Sequence, residues 1–410
     1  MFTLFDGLGH LTLKPLTYTR PVADLLVGIY TVKEKWELFL EESCNVRTKD
    51  YLTDRFHGFD GPESIGIAAT VLPDPALVKA IKELEANQLL VKDGMVLAIN
   101  SLPESTIDFD VYLEGFEMIE YDGEVSVLRK PADLFLLNQQ EIECDLNWIK
   151  SSTEFAVIDQ SNTVIGDQIY IEEGASVKGC SLNSESGPIY IASGAEVMEG
   201  SMIRGPFAAL PGSVCKMGSK IYGATTLGPY CKAGGELNNV VFQGYSNKGH
   251  DGFVGNSVIG MWCNLGADTN TSNLKNNYGS VRAWNYSEEA QTDTGLLFHG
   301  LIMGDHSKCG INTMFNTGTV VGVSTNVFGG EFPPKFIPSF SWGGNGGMTV
   351  YDLNKSFETA DRVMSRRDIE LTESEKLILK RVFEDSKKYR DRSQDDHRTF
   401  FHSLTVWHKH

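Results

Sequence analysis

A six-residue period is the feature of this sequence that most restricts its fold. From residue 191 the chain divides into successive hexads, IASGAE, VMEGSM, IRGPFA, ALPGSV, CKMGSK, IYGATT, LGPYCK and AGGELN. The first residue of each hexad is apolar, and the fifth is mostly small. An amphipathic helix repeats every 3.6 residues and a strand every 2, so this period fits neither. It is typical of a parallel β-helix in which three hexads make one triangular coil.

The same phase appears on both sides of this block. Apolar residues stand at positions 165, 171 and 177, and the hexads MGDHSK, CGINTM, FNTGTV and VGVSTN begin at residue 303. We expect the first residue of a hexad to point into the prism and the fifth to be small because the interior is crowded. Cysteines 215 and 309 then fall at inward positions, and cysteines 231 and 263 at small-residue positions.

The regions that flank the repeats have a different texture. Residues 73–85 form the pattern of a short amphipathic helix and residues 96–99 that of a buried strand, which together predict an α/β layer. After the repeats, the capping box TESE at 372–375 predicts a helix that runs to about residue 390. We therefore predict an α/β domain over 1–150, a β-helix over 151–350 and a C-terminal helical extension over 351–410.

Composition narrows the setting in which the protein works. A net charge of −18 and a pI near 5.0 disfavour binding to nucleic acid or to an anionic membrane. The seven cysteines are scattered and form no C-x-x-C pair, which favours a reducing compartment over a disulfide framework or a zinc knuckle. The first residues lack the pattern of a signal peptide, and no uncharged apolar run reaches 18 residues. We expect a soluble cytoplasmic protein.

One segment carries a specific resemblance. SNKGHDGFVGNSVIG at 246–260 and MWCNLGADTNTSN at 261–273 resemble the active-site coil of the bifunctional N-acetylglucosamine-1-phosphate uridylyltransferase / glucosamine-1-phosphate acetyltransferase family. The family pattern is S-K-A-G-H, three residues, an apolar-Gly pair and then N-I-G-A-G-T. The spacing from His250 to Asn264 and Ala267 matches it without a gap.

The beginning of the chain resembles the first domain of the same family. Residues 7–22, GLGHLTLKPLTYTRPV, are similar to a degenerate form of the N-terminal motif of a sugar nucleotidyltransferase. Residues 130–142, KPADLFLLNQQEI, are similar to the segment that ends that domain. The resemblance implies a shortened nucleotidyltransferase-like α/β domain, a left-handed parallel β-helix and a homotrimer with active sites between the prisms.

Acetyl transfer from a thioester to an amine needs a base and donors for the developing oxyanion. A histidine is suited to the base role because an imidazole is mostly neutral near pH 7, and we predict that His250 has it. By resemblance, Asn264 would hold the amine or acetamido group of the sugar, the backbone N–H of Ala267 would meet the thioester carbonyl, and Glu236 would contact the sugar. The alternatives are a solvated loop histidine, a β-helix corner asparagine and a solvated carboxylate.

The sequence departs from the family at the phosphate of the substrate. Asn238 and Phe253 stand where the family has a lysine and a tyrosine that contact this phosphate. Both contacts are therefore missing, and the substrate would be a different amino sugar unless other groups replace them. The candidate replacements, each with ordinary solvation as its alternative, are Lys248, Lys275, Tyr278 and Arg282.

The first domain also departs from its family. Thr12 and Val22 replace an arginine and a lysine that would counter the charge of a nucleoside triphosphate. Nucleotidyl transfer with UTP or dTTP would also require Mg²⁺, and the alternative is a vestigial domain that caps the β-helix. The remaining nucleotide-binding candidates are Asp6, Gly7, Gly9, Arg20 and Asp24.

A zinc site is not predicted, because His299 and His306 are seven residues apart and cannot repeat one position of a six-residue period. The leading functional prediction is acetyl-CoA-dependent N-acetylation of an amino-sugar phosphate in nucleotide-sugar biosynthesis. One alternative is sugar-1-phosphate nucleotidyl transfer with the β-helix as an oligomerisation scaffold, and another is a noncatalytic scaffold.

Overall fold

The computed structural model of the protein describes residues 1–57, 65–101 and 115–392. An α/β layer leads into a parallel β-helix, and helices follow it, so the predicted fold class is confirmed. Its left-handed coiling stays a prediction, because strand pairing alone fixes no hand. The domain boundaries at 150 and 350 also stay predictions; one helix ends at Ser152 and the last strand of the prism ends at Val350.

The N-terminal layer is a mixed sheet covered by short helices. Its first strand pairs in parallel with both neighbours, and the strands beyond pair mostly antiparallel. In spatial order the strands are Cys44–Arg47, Phe2–Phe5, Ile65–Ala68, Met95–Asn100, Gln88–Lys92 and Glu117–Glu120. A small hairpin pairs Leu26–Val27 with Tyr30–Thr31. The helices are Gly9–Thr12, Val32–Leu40, Asp50–Phe56 and Pro75–Lys82, with 3-10 turns at Leu16–Tyr18 and Val22–Asp24.

A long helix, Asp133–Ser152, joins this layer to the prism. Its inward carboxylates surround Lys35, which is 1% exposed. The Lys35 ammonium contacts Asp145 and lies 2.8 Å from Glu141 Oε2. Asp145 also accepts the backbone N–H of Ile29 at 2.8 Å. This ion cluster fixes the hairpin to the helix, because a buried lysine without its carboxylates would be strongly unfavourable.

The prism has three faces of short parallel strands. Face one contains Thr163–Ile165, Ser181–Asn183, Met202–Arg204, Lys220–Tyr222, the first parts of Glu236–Gly244 and Phe253–Met261, and then Asn270–Thr271 and Met314–Phe315. Face two contains Ile169–Ile171, Ile189–Ile191, Phe207–Ala209, Thr225–Leu227, the second parts of the same two long strands, Ile302–Met303, Val320–Val321 and Phe336–Ile337. Face three contains Ser176–Val177, Glu196–Val197, Val214–Cys215, Lys232–Ala233, Asn247–Lys248, Asn264–Leu265, Lys308–Cys309, Asn326–Val327 and Ser341–Gly344, and ends in the antiparallel strand Gly347–Val350.

Burial confirms the predicted hexad phase. From residue 191 onward the first-position residues are at most 6% exposed, and the small fifth-position residues at 195, 201, 213, 219, 225, 231, 307, 313, 319 and 325 are at most 2% exposed. The first-position residues are Ile191, Val197, Ile203, Ala209, Cys215, Ile221, Leu227, Ala233, Met303, Cys309, Phe315 and Val321. Ile171 and Val177 are buried as well. The prediction was wrong at Ile165, which is 40% exposed, because its strand places Val164 opposite the buried Leu182. The four cysteines expected inside the prism, at 215, 231, 263 and 309, are buried free thiols.

The sequence analysis missed an excursion from the prism at residues 272–300. It contains the hairpin Arg282–Asn285 and Ala290–Asp293. The Trp284 ring stacks on Phe336 with centroids 3.9 Å apart, and Tyr286 meets Tyr18 of the first domain edge to face at 5.6 Å. The excursion therefore joins the prism to the α/β layer.

Among the residues that the structure describes, two helices follow the prism where one was predicted. They are Leu353–Ser365 and Glu373–Asp385, and we call them the C-terminal helices. The second has the predicted capping box, in which the Thr372 hydroxyl accepts the N–H of Glu375. It packs against Asp50–Phe56 of the first domain, where Arg55 Nε lies 3.3 Å from Glu375. In the described part of the chain, no helix is long and apolar enough to cross a membrane.

Candidate active site

His250 lies at the exposed corner between face three and face one. Asn247 pairs with Asn264 on the next coil, so the same register sets His250 beside Ala267. The N–H of Asp268 donates to the carbonyl of Asp251 at 3.0 Å, which fixes that alignment one residue further on. Adjacent rungs lie ~4.8 Å apart. The structure therefore brings the predicted base and the predicted oxyanion donor to neighbouring rungs of one corner.

Lys248 holds the turn that carries His250 from the interior of the prism. This residue occupies an inward position, is 1% exposed and donates from Nζ to the carbonyl oxygens of Gly234, His250 and Asp251 at 3.1, 2.5 and 2.9 Å. Burial lowers its pKa to about 8. This placement corrects the prediction that Lys248 contacts the substrate phosphate, because its ammonium faces the backbone and not the surface.

The backbone of the turn also depends on glycine. Gly252 has a φ of +112°, and a Cβ atom there would lie 2.2 Å from the carbonyl oxygen of Thr269. A residue with a side chain could not keep this close approach.

Face one supplies a polar row beside the His250 corner. Lys220, Glu236 and Phe253 are cross-strand neighbours on successive coils. The Tyr222 hydroxyl donates to Glu236 Oε1 at 2.5 Å, and this hydrogen bond raises the Tyr222 pKa to about 12. Asn270 Oδ1 accepts the N–H of Phe253 at 2.8 Å. Glu236 is thus a positioned, half-buried carboxylate with a cation next to it.

Asn264 is exposed on face three, in the outward row that contains Asn247 one coil earlier. On the next coil its strand neighbour is Lys308, whose Nζ donates to the His306 carbonyl at 2.8 Å. The Asn264 side chain is therefore exposed on this face, beside the His250 corner.

The other proposed phosphate ligands lie on the excursion at 272–300. Lys275 donates to the Ser280 carbonyl at 3.0 Å, and Arg282 donates to the Gln291 carbonyl. Tyr278 is 72% exposed. The lysine and the arginine hold their own loop, so their assignment to the substrate stays a prediction with no contact that supports it.

Most of the nucleotide-binding candidates of the first domain make hydrogen bonds or packing contacts within the protein. Asp6 accepts the N–H of Val22 at 2.8 Å and the hydroxyl of Thr48 at 2.5 Å, and burial raises its pKa to about 6. Gly9 lies in a short helix, and a Cβ atom there would be 2.3 Å from Thr70 Cγ2. Glycine at this position therefore allows the short helix to pack closely against Thr70.

Arg20, a predicted nucleotide-binding residue, instead forms an ion pair between the first domain and the prism. It is 4% exposed, and its guanidinium contacts Asp305 of the prism. Thr19 donates to the same carboxylate at 2.7 Å. This burial corrects the prediction that Arg20 binds a triphosphate. Gly7 has a left-handed φ of +49°, and burial raises the pKa of Asp24; neither observation assigns a ligand to these two residues.

No group of three or more histidine, cysteine, aspartate or glutamate side chains is placed to hold a metal ion within the described ranges.

Residues 2–154 match the family model described as sugar nucleotidyl transferase. The chain is 27% identical over 173 residues to the bifunctional protein GlmU of Wigglesworthia glossinidia brevipalpis, a match that covers 42% of this chain and 32% of that protein. It is 26% identical over 182 residues to the uncharacterized acetyltransferase YaiX of Escherichia coli O6:K15:H31, covering 41% of this chain and 68% of that one. A solved structure, the UDP-N-acetylglucosamine acyltransferase of Arabidopsis, aligns with 52% of this chain and 80% of its own at 14% identity and a TM-score of 0.21.

The chain is therefore similar to a bifunctional protein GlmU and to an uncharacterized acetyltransferase, as the sequence analysis predicted. The resemblance to the bifunctional uridylyltransferase/acetyltransferase family is confirmed as well, at low identity. This chain spans only about a third of the GlmU protein that it matches.

The sequence analysis missed Lys220 and Tyr222 as neighbours of Glu236. Their register was hidden because the coil is shorter there: Lys220 and Glu236 are paired but 16 residues apart, and not 18 as three full hexads would require. Strand pairing, and not the period, reveals this row.

Proposed function

We propose that the protein transfers the acetyl group of acetyl-CoA to the amine of an amino-sugar phosphate. The observation that carries the proposal is the single exposed corner on which His250 and Ala267 occupy neighbouring rungs, with the exposed Asn264 on the adjoining face. A base, a backbone donor and an amide are the groups that acyl transfer to an amine requires.

In the proposed reaction the amine nitrogen attacks the thioester carbonyl while His250 accepts the amine proton. The Ala267 N–H stabilises the oxyanion, the C–S bond breaks, and the thiolate of coenzyme A leaves and is protonated. Asn264 and Glu236 orient the sugar, with Tyr222 holding the carboxylate of Glu236. Lys220, exposed beside Glu236, is the nearest cation of the polar row for a sugar phosphate.

The candidate site is open on one prism, since both His250 and Asn264 are exposed. We infer that a second copy of the chain covers this corner in a homotrimer. Light scattering on the purified protein measures its mass, and a monomer with full activity would contradict this arrangement.

The test of the proposed reaction is an assay with acetyl-CoA and a panel of amino-sugar phosphates. We expect His250→Ala to remain folded and to lose ~10² or more in kcat, the usual contribution of a positioned base. Circular dichroism and gel filtration check folding. A folded variant with more than about a third of wild-type turnover, with chemistry rate-limiting, would remove His250 from the base role.

Nucleotidyl transfer is the second candidate, and the match of residues 2–154 to the sugar nucleotidyl transferase family favours it. The internal use of Asp6 and Arg20 weighs against it. Calorimetric titration with UTP and dTTP plus Mg²⁺ separates the two views. Micromolar binding with brisk pyrophosphate release from a sugar-1-phosphate would establish this activity.

A further inference from the structure

Two lysines and two arginines come together beside face three, at the two coils that precede Asn247. Lys232 lies on the coil before Asn247, and Lys216 lies one coil earlier still. Arg366 and Arg367 directly follow the first C-terminal helix. Two backbone contacts join these segments: Lys216 N–H donates to the Ala233 carbonyl at 2.7 Å, and Arg367 Nη2 donates to the Tyr230 carbonyl at 3.3 Å. The four residues are called the cationic cluster below.

The cluster is unusual for this molecule. The chain has a net charge of −18, yet none of the four cations forms an ion pair with a carboxylate of the described residues. Partial burial, followed by the charges of Arg367, Lys216 and Arg366, lowers the pKa of Lys232. Glu196, two rungs from Lys232 in the same row of face three, opposes this shift but is outnumbered by the three cations. Like charges in excess of their counter-charge repel one another, and a bound anion would remove that repulsion.

We propose that the cationic cluster binds the phosphate groups of a substrate of the acetyl-transfer reaction. Guanidinium groups match phosphate oxygens in a bidentate fork, and ammonium groups add compact point charges. This inference rests on the proposed function. The cluster would supply phosphate contacts in place of those that the family makes at the positions of Asn238 and Phe253.

The position of the cluster agrees with this role. Along the corner, Lys216, Gly234 and Gly249 are successive neighbours, because their strands pair in register. Lys216 therefore lies two rungs, roughly 10 Å, from the turn that carries His250, and Lys232 lies on the coil between them. Lys232 shares the outward row of face three with Asn247 and, one coil beyond, Asn264. A ligand on this face can place a phosphate at the cluster and its reacting group at the corner.

Two substrates carry the required chemistry, the diphosphate and ribose phosphate of the acyl donor and the phosphate of the sugar. The direct probe for both is inorganic pyrophosphate, titrated calorimetrically into the full-length protein at low salt. We expect Lys232→Met/Arg366→Met to weaken pyrophosphate binding by at least roughly tenfold, as the loss of charge-assisted hydrogen bonds predicts. Arg366→Met alone, at an exposed residue, should weaken it less and guards against misfolding of the double variant.

Lys178→Met is the matched control. Lys178 follows Val177 as Lys216 follows Cys215, at the same corner two coils earlier. It should leave the pyrophosphate Kd unchanged. Failure of the wild-type protein to bind pyrophosphate, or equal affinity in the wild type and the double variant, would overturn the site.

Steady-state kinetics then separate the two sources of phosphate. A rise in KM for acetyl-CoA alone assigns the cluster to the donor, and a rise in KM for the sugar phosphate alone assigns it to the acceptor. Pyrophosphate binding that depends on the cluster in a protein without acetyl transfer would refute the proposed reaction and keep the anion site. Normal acetyl transfer in a protein whose pyrophosphate binding does not depend on the cluster would refute the anion site and keep the proposed reaction.

Discussion

At the scale of single residues, Lys248 is the inward position that departs most from its neighbours. The adjacent coils place Ala233 and Leu265 at this position. Lys248 instead extends a buried stem whose ammonium donates to two carbonyl oxygens of the His250 turn and to that of Gly234 on the preceding coil. In the proposed reaction it would act through the backbone of the turn, so we propose that it is a positioning residue.

We expect Lys248→Met to keep the prism folded but to loosen the His250 turn, since methionine fills a similar volume and donates no hydrogen bonds. Amide exchange over residues 249–252 should rise, and kcat should fall about tenfold, the effect of roughly 1.4 kcal/mol in the barrier. Hydrogen exchange with mass spectrometry and the acetyl-transfer assay measure both. Leu265→Met is the control, and unchanged exchange in Lys248→Met would contradict this role.

A second residue-scale prediction concerns acid stability and His299. This ring is 3% exposed, lies edge to face with Phe135 at 5.7 Å and has Nδ1 3.2 Å from the Gly300 carbonyl. Burial lowers its pKa from 6.5 to about 4. Between these pH values the unfolded chain binds the proton and the native protein does not. Stability from His299 is therefore lost as the pH falls from about 6.5 towards 4.

We expect His299→Phe to flatten the dependence of the unfolding free energy on pH in this window, by up to about 1.4 kcal/mol per pH unit. Urea unfolding at several pH values between 4 and 7 measures the slope. Parallel curves for the variant and the wild type would show that His299 does not contribute to it.

At the scale of elements, alternation along each short strand decides what the prism tolerates. In Met202–Arg204, Met202 is 50% exposed and Ile203 is 2% exposed. We expect Ile203→Asp to destabilise the protein by about 3 kcal/mol or more, because an unpaired carboxylate enters an apolar interior. Met202→Asp, its matched control on the outward face, should remain within about 0.5 kcal/mol of the wild type. Denaturant midpoints give both values, and equal losses would mean that the face assignment is wrong.

At the scale of the whole molecule, the three parts share one core. A single apolar cluster runs from the N-terminal sheet through outward residues of face two to the C-terminal helices, and includes Leu4, Val241, Val258, Phe340 and Leu379. Polar contacts cross the same boundary, where the Gln243 side chain pairs with both backbone groups of Leu26 at 2.8 and 2.9 Å. The α/β layer is thus packed onto the prism and is not a separately tethered domain.

The buried pair of Arg20 and Asp305 tests this unity. We expect Arg20→Met to destabilise the protein by about 3 to 5 kcal/mol, because Asp305 would remain buried without its cation. The first domain and the prism should still melt together in calorimetry, since they share a core. Arg55→Met, which removes an exposed ion pair with Glu375 across the same assembly, is the control and should cost less than about 1 kcal/mol. Two separate transitions in the wild type would contradict the shared core.

The sequence by itself determined the prism and the identity of the candidate corner. Apolar residues six apart cannot all be buried in a helix or a simple strand, so the period predicted the β-helix and its inward residues. The spacing from His250 to Asn264 and Ala267 predicted the candidate site through its resemblance to the active-site coil of the bifunctional family, and the roles of these residues stay predictions. Only the tertiary structure showed that Lys248 points inward, that Arg20 pairs with Asp305 285 residues away, and that Arg367 meets the coil of Lys232. Such contacts join segments that are far apart in the sequence, so no local pattern predicts them. Shortened coils also shift the register of strand pairing. Tertiary packing therefore decided where these side chains point and which charged groups they contact.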